Sequence, residues 1–314
     1  MNAVLAAVAG LASALTIAGF LGRWGWMWEL ASHFRAQYAA ALTFCAALLF
    51  LRQQPVWAAA AGAGALLNFA TFLPWYLSAA SGPSTPNGKP IRALLLNLDH
   101  HNRAADRVIS LVRMVDPDLI LFIEVTRRWK TRLSALEQAY PFRVGLARPR
   151  GWGMLLLSRL PLECSQVLDR RRSGIPGVVA GVSVGRRRLT LIGAHPFAPV
   201  SRRYAASRNR QLAALARLAA AQERPVVVLG DLNITPWSPY FHQLLRAGGL
   251  RDSRCGFGVQ PTWPAWCWPL RIPIDHCLVS PGVAVHRRQI GPRVGSDHYP
   301  VIMEFSTDAR YNGG

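Results

Sequence analysis

The sequence predicts an α/β domain carried behind about three membrane-spanning helices. Three observations predict it: a first quarter almost without charge, a Gly-, Pro- and Ser-rich break after it, and beyond the break an alternation of apolar runs with helically spaced segments. The 314 residues leave room for one large domain with an appendage, or for two domains, at ~100–200 residues each. Apolar residues make up 51% and charged residues 17%, against about 25% charged in soluble chains, which argues against an ordinary soluble protein and excludes disorder. Lys and Arg number 36 against 16 Asp and Glu, a net +20, and all the basic residues but Lys89 and Lys130 are arginine. Such a charge favours polyanions, either nucleic acid or anionic lipid.

Residues 1–88 hold only Arg23, Arg35 and Arg52 against Glu29, a net +2, which leaves +18 for the remainder. Residues 1–22, 36–51 and 53–88 carry no charged side chain and are the candidate spans. A bilayer core needs about 20 helical residues, which the first stretch and residues 56–80 supply; the 16 residues of the middle stretch reach roughly 24 Å. Trp24, Trp26 and Trp28 follow the first stretch, and Trp75 and Tyr76 lie near the end of the third, where amphipathic rings suit the headgroup level. The amino end has no basic region and no small-x-small cleavage site, which disfavours a signal peptide followed by a buried hairpin.

Residues 1–80 are therefore expected to anchor the chain as an integral protein of a bacterial-type inner membrane. Arg23, Arg35, Lys89 and Arg92 flank one side of the three spans and Arg52 the other, so the positive-inside rule places the large domain in the cytoplasm. Residues 81–90 (SGPSTPNGKP) read as the linker, residues 91–306 as the domain, ample for a single two-layered core, and residues 307–314 as a tail.

In the domain, residues 91–98 (IRALLLNL) read as a strand carrying Asn97 at its end, and Val108, Leu111, Val112 and Val115 recur at helical spacing behind it. Residues 119–123 form a second apolar run that stops at Glu124, and residues 154–157 a third. Residues 178–184 and 189–193 read as a hairpin that delivers His195. Residues 207–221 are helical, and residues 225–230 (PVVVLG) make a buried strand that delivers Asp231 and Asn233. Asp275 opens a further strand, and residues 301–305 close the fold behind Asp297 and His298. Polar side chains at strand ends form one rim of a sheet, where function resides in such folds.

The set Asn97, Asp99, Glu124, His195, Asp231, Asn233, Asp275, Asp297 and His298 is rich in oxygen and free of cysteine, which suits Mg²⁺ or Mn²⁺ better than Zn²⁺. Phosphodiester hydrolysis needs a metal on a phosphoryl oxygen, a base to orient water and donors to steady the charge, and each has a candidate here.

GDLN at residues 230–233, GSDH at 295–298, NLD at 97–99, IEV at 123–125 and IDH at 274–276 resemble, in order and spacing, the motifs of the endonuclease/exonuclease/phosphatase superfamily. That group includes DNase I-like nucleases, abasic-site endonucleases, inositol-polyphosphate phosphatases and neutral sphingomyelinases. The resemblance implies a four-layer α/β/β/α sandwich and metal-dependent phosphoester hydrolysis. It further implies that Glu124 is the principal metal carboxylate with Asn97 and Asp99 beside it, and that Asp297 lies at the metal or its water. By the same likeness Asp231 orients or deprotonates the attacking water, Asn233 donates to the phosphate, His298 contacts the scissile phosphate with its ring oriented by Asp275, and His195 assists the leaving group.

The remaining polar residues have plainer readings. Asp99 could equally be a turn residue. His100, His101, His242 and His286 match no motif and read as surface or loop histidines, and His276 as structural. Cys255 and Cys267 fall in a loop-rich stretch and could pair in an oxidising compartment, with buried free thiols as the favoured reading for the cysteines. The Arg runs at 170–172 and 186–188 read as solvated faces. Trp263, Trp266 and Trp268 either wall the site or pack on a sheet edge, and Trp237 packs beneath it. The expected partners are the lipid bilayer and a phosphodiester substrate, nucleic acid or phospholipid headgroup. The rival from another class is a catalytically silent membrane scaffold that binds polyanions through its Arg-rich face.

Overall fold

The computed structural model describes residues 2–77, 90–185 and 187–307. The expected linker and tail fall almost wholly outside these residues. The amino-terminal helices are α1 (Asn2–Phe20), α2 (Trp26–Ser32), α3 (Arg35–Leu51), α4 (Pro55–Phe72) and the single turn α5 (Pro74–Leu77). Helices α1 and α4 are each long and apolar enough to cross a membrane, and α2 with α3 makes a third span only if the pair, bent by 64°, is taken as one. The third apolar stretch was expected to continue to residue 80. Its helix stops at Phe72 instead, because Pro74 cannot donate to the preceding turn.

Small residues let these helices approach closely: Ala9 and Ala12 of α1 and Ala58, Ala61 and Ala65 of α4 pack with Leu42, Cys45 and Leu49 of α3. One polar knot ties all three, with Asn68 Nδ2 donating to Thr16 Oγ1 at 2.8 Å and Arg35 Nη1 to the Thr16 carbonyl at 3.2 Å.

The domain is built on two six-stranded sheets. The first runs in the order β11 (Val283–Ile290), β12 (Val301–Thr307), β1 (Ile91–Asn97), β2 (Leu119–Ile123), β4 (Met154–Ser158) and β3 (Phe142–Leu146). The second runs β5 (Leu162–Leu168), β6 (Gly177–Val184), β7 (Arg187–Ala194), β8 (Val226–Asp231), β10 (Asp275–Val279) and β9 (Arg251–Asp252). Each sheet has one parallel pair, β1 with β2 and β7 with β8.

The central strands read as unbroken apolar runs because both their faces are buried. Leu95 and Leu121 of one sheet meet Leu191, Val227 and Leu229 of the other. Leu94, Leu96, Ile120 and Phe122 turn outward beneath α6 (Ala105–Val115) and α7 (Arg127–Leu133). On the opposite face Ile192, Val226 and Val228 lie beneath α9 (Arg202–Ala220) and α10 (Pro239–Gly248), while α8 (Arg170–Ser173) is a single turn between β5 and β6. The result is the expected four-layer α/β/β/α sandwich. Strands β3 and β5 gave no sequence signal because edge strands bury few side chains, and only Leu168 of β5 is buried. The helix expected at 207–221 starts earlier, at Arg202, because Ser201 accepts from the Tyr204 N–H and caps it.

The amino-terminal helices are docked on the two-sheet domain. Glu29 of α2 pairs with Arg208 of α9, both fully buried, and accepts from Ser238 Oγ at 2.6 Å. His33 Nδ1 lies 2.8 Å from Thr235 Oγ1, and Gln37 Nε2 donates to the Arg271 carbonyl at 2.7 Å. Beyond α4, the Trp75 carbonyl accepts from the N–H groups of Gly256 and Gly258, and its ring packs against Trp237 at 5.6 Å. Trp237 thus packs against the amino-terminal helices. All five cysteine thiols are free; Cys45 and Cys277 are buried, whereas Cys164 is exposed and Cys255 and Cys267 are partly so, against the expectation of burial.

Candidate active site

The site forms where the two sheets bring their polar strand ends together. Asn97 closes β1, Glu124 follows β2, His195 follows β7, and Asp231 closes β8 directly opposite Asp275 at the start of β10. Two glycines permit this crowding. A Cβ on Gly230 would lie 2.2 Å from the Ala194 carbonyl, so β8 can pair with β7 only without one, and Gly295 turns the chain at φ +93° with Asn102 Oδ1 2.5 Å from any added Cβ. Asp99, Glu124 and Asn233 hold φ of 57°, 61° and 51°, so backbone strain of about 1–3 kcal/mol each is stored at the site.

Asp231 is the hub. Its Oδ2 lies 3.5 Å from His195 Nε2 and 3.6 Å from His298 Nε2, and it accepts from Asn97 Nδ2 at 3.1 Å. Burial would raise the Asp231 carboxyl, but His298, His195 and the Asn233 N–H hold it down to about 2. Burial likewise opposes the His298 imidazolium, yet Asp275 and Asp231 push it up to about 10, with Asp275 Oδ2 at 2.8 Å from Nδ1. His195 is raised too, against its burial, by Asp231 and by Glu124. Asp275 is pushed up by burial in spite of His298, and its Oδ1 is buried with no partner among the described residues. At neutral pH the pattern is an ionised Asp231 carboxylate facing a protonated His298, with His195 shifted towards its protonated form.

Beside this hub Asp99, His100 and Glu124 place one ligand atom each within 4.8 Å of one another. Glu124 Oε2 lies 2.7 Å from His100 Nδ1, and Asn97 Nδ2 donates to Glu124 Oε1 at 3.3 Å. Two carboxylates and a histidine fit a divalent cation. His100 was not expected here. It follows NLD, and only the left-handed turn at Asp99 swings it onto Glu124. The NLD motif itself carries no hint of that turn, whereas a histidine directly after a motif carboxylate was a usable signal.

Asp297 stands outside both close groups. Its Oδ2 accepts from Trp263 Nε1 at 2.9 Å, and its Oδ1 lies 3.9 Å from His298 Nε2. Asn233 donates its Nδ2 to the Pro196 carbonyl at 3.0 Å and lines the same groove as His195, Asp231, Asp297 and His298. Trp263 walls this groove, while Trp266 and Trp268 project into solvent. His276 is buried between Arg254 and the Ile234 carbonyl, which fits its structural reading.

The model of the Endonuclease/Exonuclease/phosphatase family matches residues 94–298. The chain belongs to that family. A search of curated proteins finds no match to the sequence. Among solved structures, D. rerio TDP2 complexed with a single-strand DNA product is similar at 16% identity and TM-score 0.59, over 70% of this chain and 100% of that one. The endonuclease/exonuclease/phosphatase from Beutenbergia cavernae DSM 12333 is similar at 19% identity and TM-score 0.53, over 70% and 72%. Sphingomyelinase C from Streptomyces griseocarneus is similar at 17% identity and TM-score 0.50, over 69% and 99%. At these identities the likeness is one of fold. Members of the endonuclease/exonuclease/phosphatase superfamily are phosphoesterases that use divalent metals, and the acidic clusters of this chain could hold one.

Proposed function

We propose that the chain is a membrane-anchored, divalent-metal-dependent phosphodiesterase, with residues 1–80 as anchor and 91–306 as catalytic domain, acting on nucleic acid or a phospholipid headgroup by in-line attack of water. The observation that carries this reading is the convergence of His195, His298 and Asn97 on Asp231, beside the Asp99, His100 and Glu124 cluster. Glu124, Asp99 and His100, with Asn97 and Asp297 at the margin, would hold Mg²⁺ or Mn²⁺, which when bound supplies positive charge to a phosphoryl oxygen. Asp231 orients the attacking water. His298, kept protonated by Asp275, donates to a phosphoryl oxygen as negative charge grows there, and Asn233 adds an amide donor. His195 gives its proton to the departing oxygen. A protonated His298 and an upward-shifted His195 around one carboxylate suit charge stabilisation and leaving-group protonation.

The test uses the full chain with Mg²⁺, Mn²⁺ or excess chelator on soluble and vesicle-borne diesters, beside Asp231→Ala. Metal-dependent turnover that falls by about 100-fold or more in the variant supports the reading. Polyanion binding with no turnover from either protein would instead favour the silent scaffold. The charge count places the domain in the cytoplasm, and a reporter fused after Thr307 that is active only on the opposite side would overturn that.

A further inference from the structure

On the phosphodiesterase reading above, the groove itself identifies the substrate class. It encloses about 530 Å³, and its polar floor of Asp231, Asn233 and His298 gives onto an apolar wall. Two segments build that wall: residues 196–200 after His195, ending in Val200 at 73% exposure, and the corner between α2 and α3, which contributes Leu30, His33 and Phe34. The second segment belongs to the anchor. The catalytic groove is therefore incomplete without the membrane helices.

The anchor also fixes which way the groove faces. Its helices meet the domain at one end of the bundle: Gly22 after α1 against Pro239, Gln37 in the first turn of α3 on Arg271, and Trp75 after α4 on Gly256 and Gly258. Helices that cross a bilayer with those ends at one surface hold this face of the domain against that surface. The exposed apolar side chains of the same region agree. Trp24, Met27 and Trp28 project from the anchor corner, and Trp266 and Trp268, at 65% and 77% exposure, stand in the loop that Gln37 grips through Arg271. Indole rings at such a level belong to the membrane interface.

We propose that the groove takes a phospholipid laterally from the bilayer, its acyl-bearing part along Leu30, Phe34 and Val200 and its phosphodiester over Asp231 and His298. A lipid reaches this opening by diffusing in the plane, whereas a nucleic acid would have to enter between the domain and the headgroups. Behind Trp152, Phe197 and Tyr204, which both spaces share, lies an adjoining cavity of about 610 Å³. It carries Arg148, Arg171 and Asp169 and suits a polar headgroup. In the reaction the water oxygen forms a new bond to phosphorus, the ester P–O bond in line with it breaks, and the departing oxygen takes up a proton. One water is consumed, and the products are a phosphomonoester and an alcohol.

The experiment reconstitutes the full chain in vesicles of phosphatidylcholine, phosphatidylethanolamine and phosphatidylglycerol with Mg²⁺ or Mn²⁺. A fraction of the phosphatidylcholine carries a photoactivatable diazirine on an acyl chain. Bis(p-nitrophenyl) phosphate and a single-stranded oligonucleotide are assayed in parallel. The expected result is lipid hydrolysis together with labelling of residues 27–37 and 196–204, and a fall of at least about tenfold in both for Phe34→Asp and Val200→Asp, which put a charge where acyl chain must lie. Val200 is exposed, so its variant folds even if Phe34→Asp does not. Labelling of those segments without turnover of any diester would keep the lipid seat and remove the hydrolase reading. Turnover of the soluble diester or the oligonucleotide without such labelling would overturn the lipid seat and leave the phosphodiesterase standing.

Discussion

Replacing Glu29 by alanine asks whether the amino-terminal helices are separate from the two-sheet domain or part of it. Glu29 is 1% exposed and its partner Arg208 0%, so neither charge has water to fall back on. Arg208 also reaches the site, donating Nη1 to the Asn233 carbonyl at 2.9 Å. Burial already pulls Arg208 below its ordinary pKa, and Glu29 is the main force restoring it. Removing one partner of such a pair leaves the other buried and uncompensated, at a cost of about 3–5 kcal/mol. At 1.4 kcal/mol per factor of ten, that shifts the balance between docked and undocked amino-terminal helices by roughly two to three and a half powers of ten. Hydrogen exchange across residues 232–238 should accelerate by a comparable factor in Glu29→Ala, and diester turnover should fall with it. The double variant Glu29→Met, Arg208→Met should recover most of the protection, since an apolar pair of similar volume carries no stranded charge. If Glu29→Ala kept wild-type exchange and turnover, the remaining contacts alone would hold the amino-terminal helices, and the coupling inferred through Arg208 would be refuted.

The Asp99, His100 and Glu124 cluster, the close pairing of β7 with β8 and the buried ion pairs of the site each make a further prediction. His100→Ala removes one of three convergent ligand atoms and should raise the Mg²⁺ or Mn²⁺ concentration for half-maximal turnover by about 10–100-fold, read from a metal titration. Gly230→Ala forces a Cβ to 2.2 Å from the Ala194 carbonyl and should lower the stability by about 3 kcal/mol, the upper end of overpacking, seen as a shifted denaturation midpoint at unchanged slope. In metal-free protein, His298 is raised from 6.5 to about 10, so its contribution to stability is complete below pH 6.5 and is lost as the pH climbs through about 10. Asp231 is lowered from 3.8 to about 2, so its contribution is present above pH 3.8 and is lost as the pH falls through about 2. Thermal melts from about pH 6 to 11 should show the alkaline loss in the parent and a smaller one in Asp275→Asn; equal losses would contradict the His298 assignment.

The motif residues were legible because their chemistry is local. GDLN sits at the end of a strand buried on both faces, where the glycine lets β8 lie against β7 and the carboxylate and the amide follow within four positions. Edge strands were not legible, since β5 exposes most of its side chains and β11 changes register at a bulge between Val285 and Arg287.

By itself the sequence determined the central strands, the two halves of opposite polarity and the identity of the polar strand ends, because burial on one or two faces writes a periodic pattern into adjacent residues. Tertiary structure alone decided how those residues meet. Asn97 reaches Asp231 across 134 positions, His100 turns onto Glu124, and Glu29 finds Arg208 across 179 positions. The last pairing docks the corner between α2 and α3, which lines the groove through Leu30, His33 and Phe34. No local pattern encodes such contacts, because a charge becomes committed to a distant partner only when folding has removed the water that would otherwise solvate both.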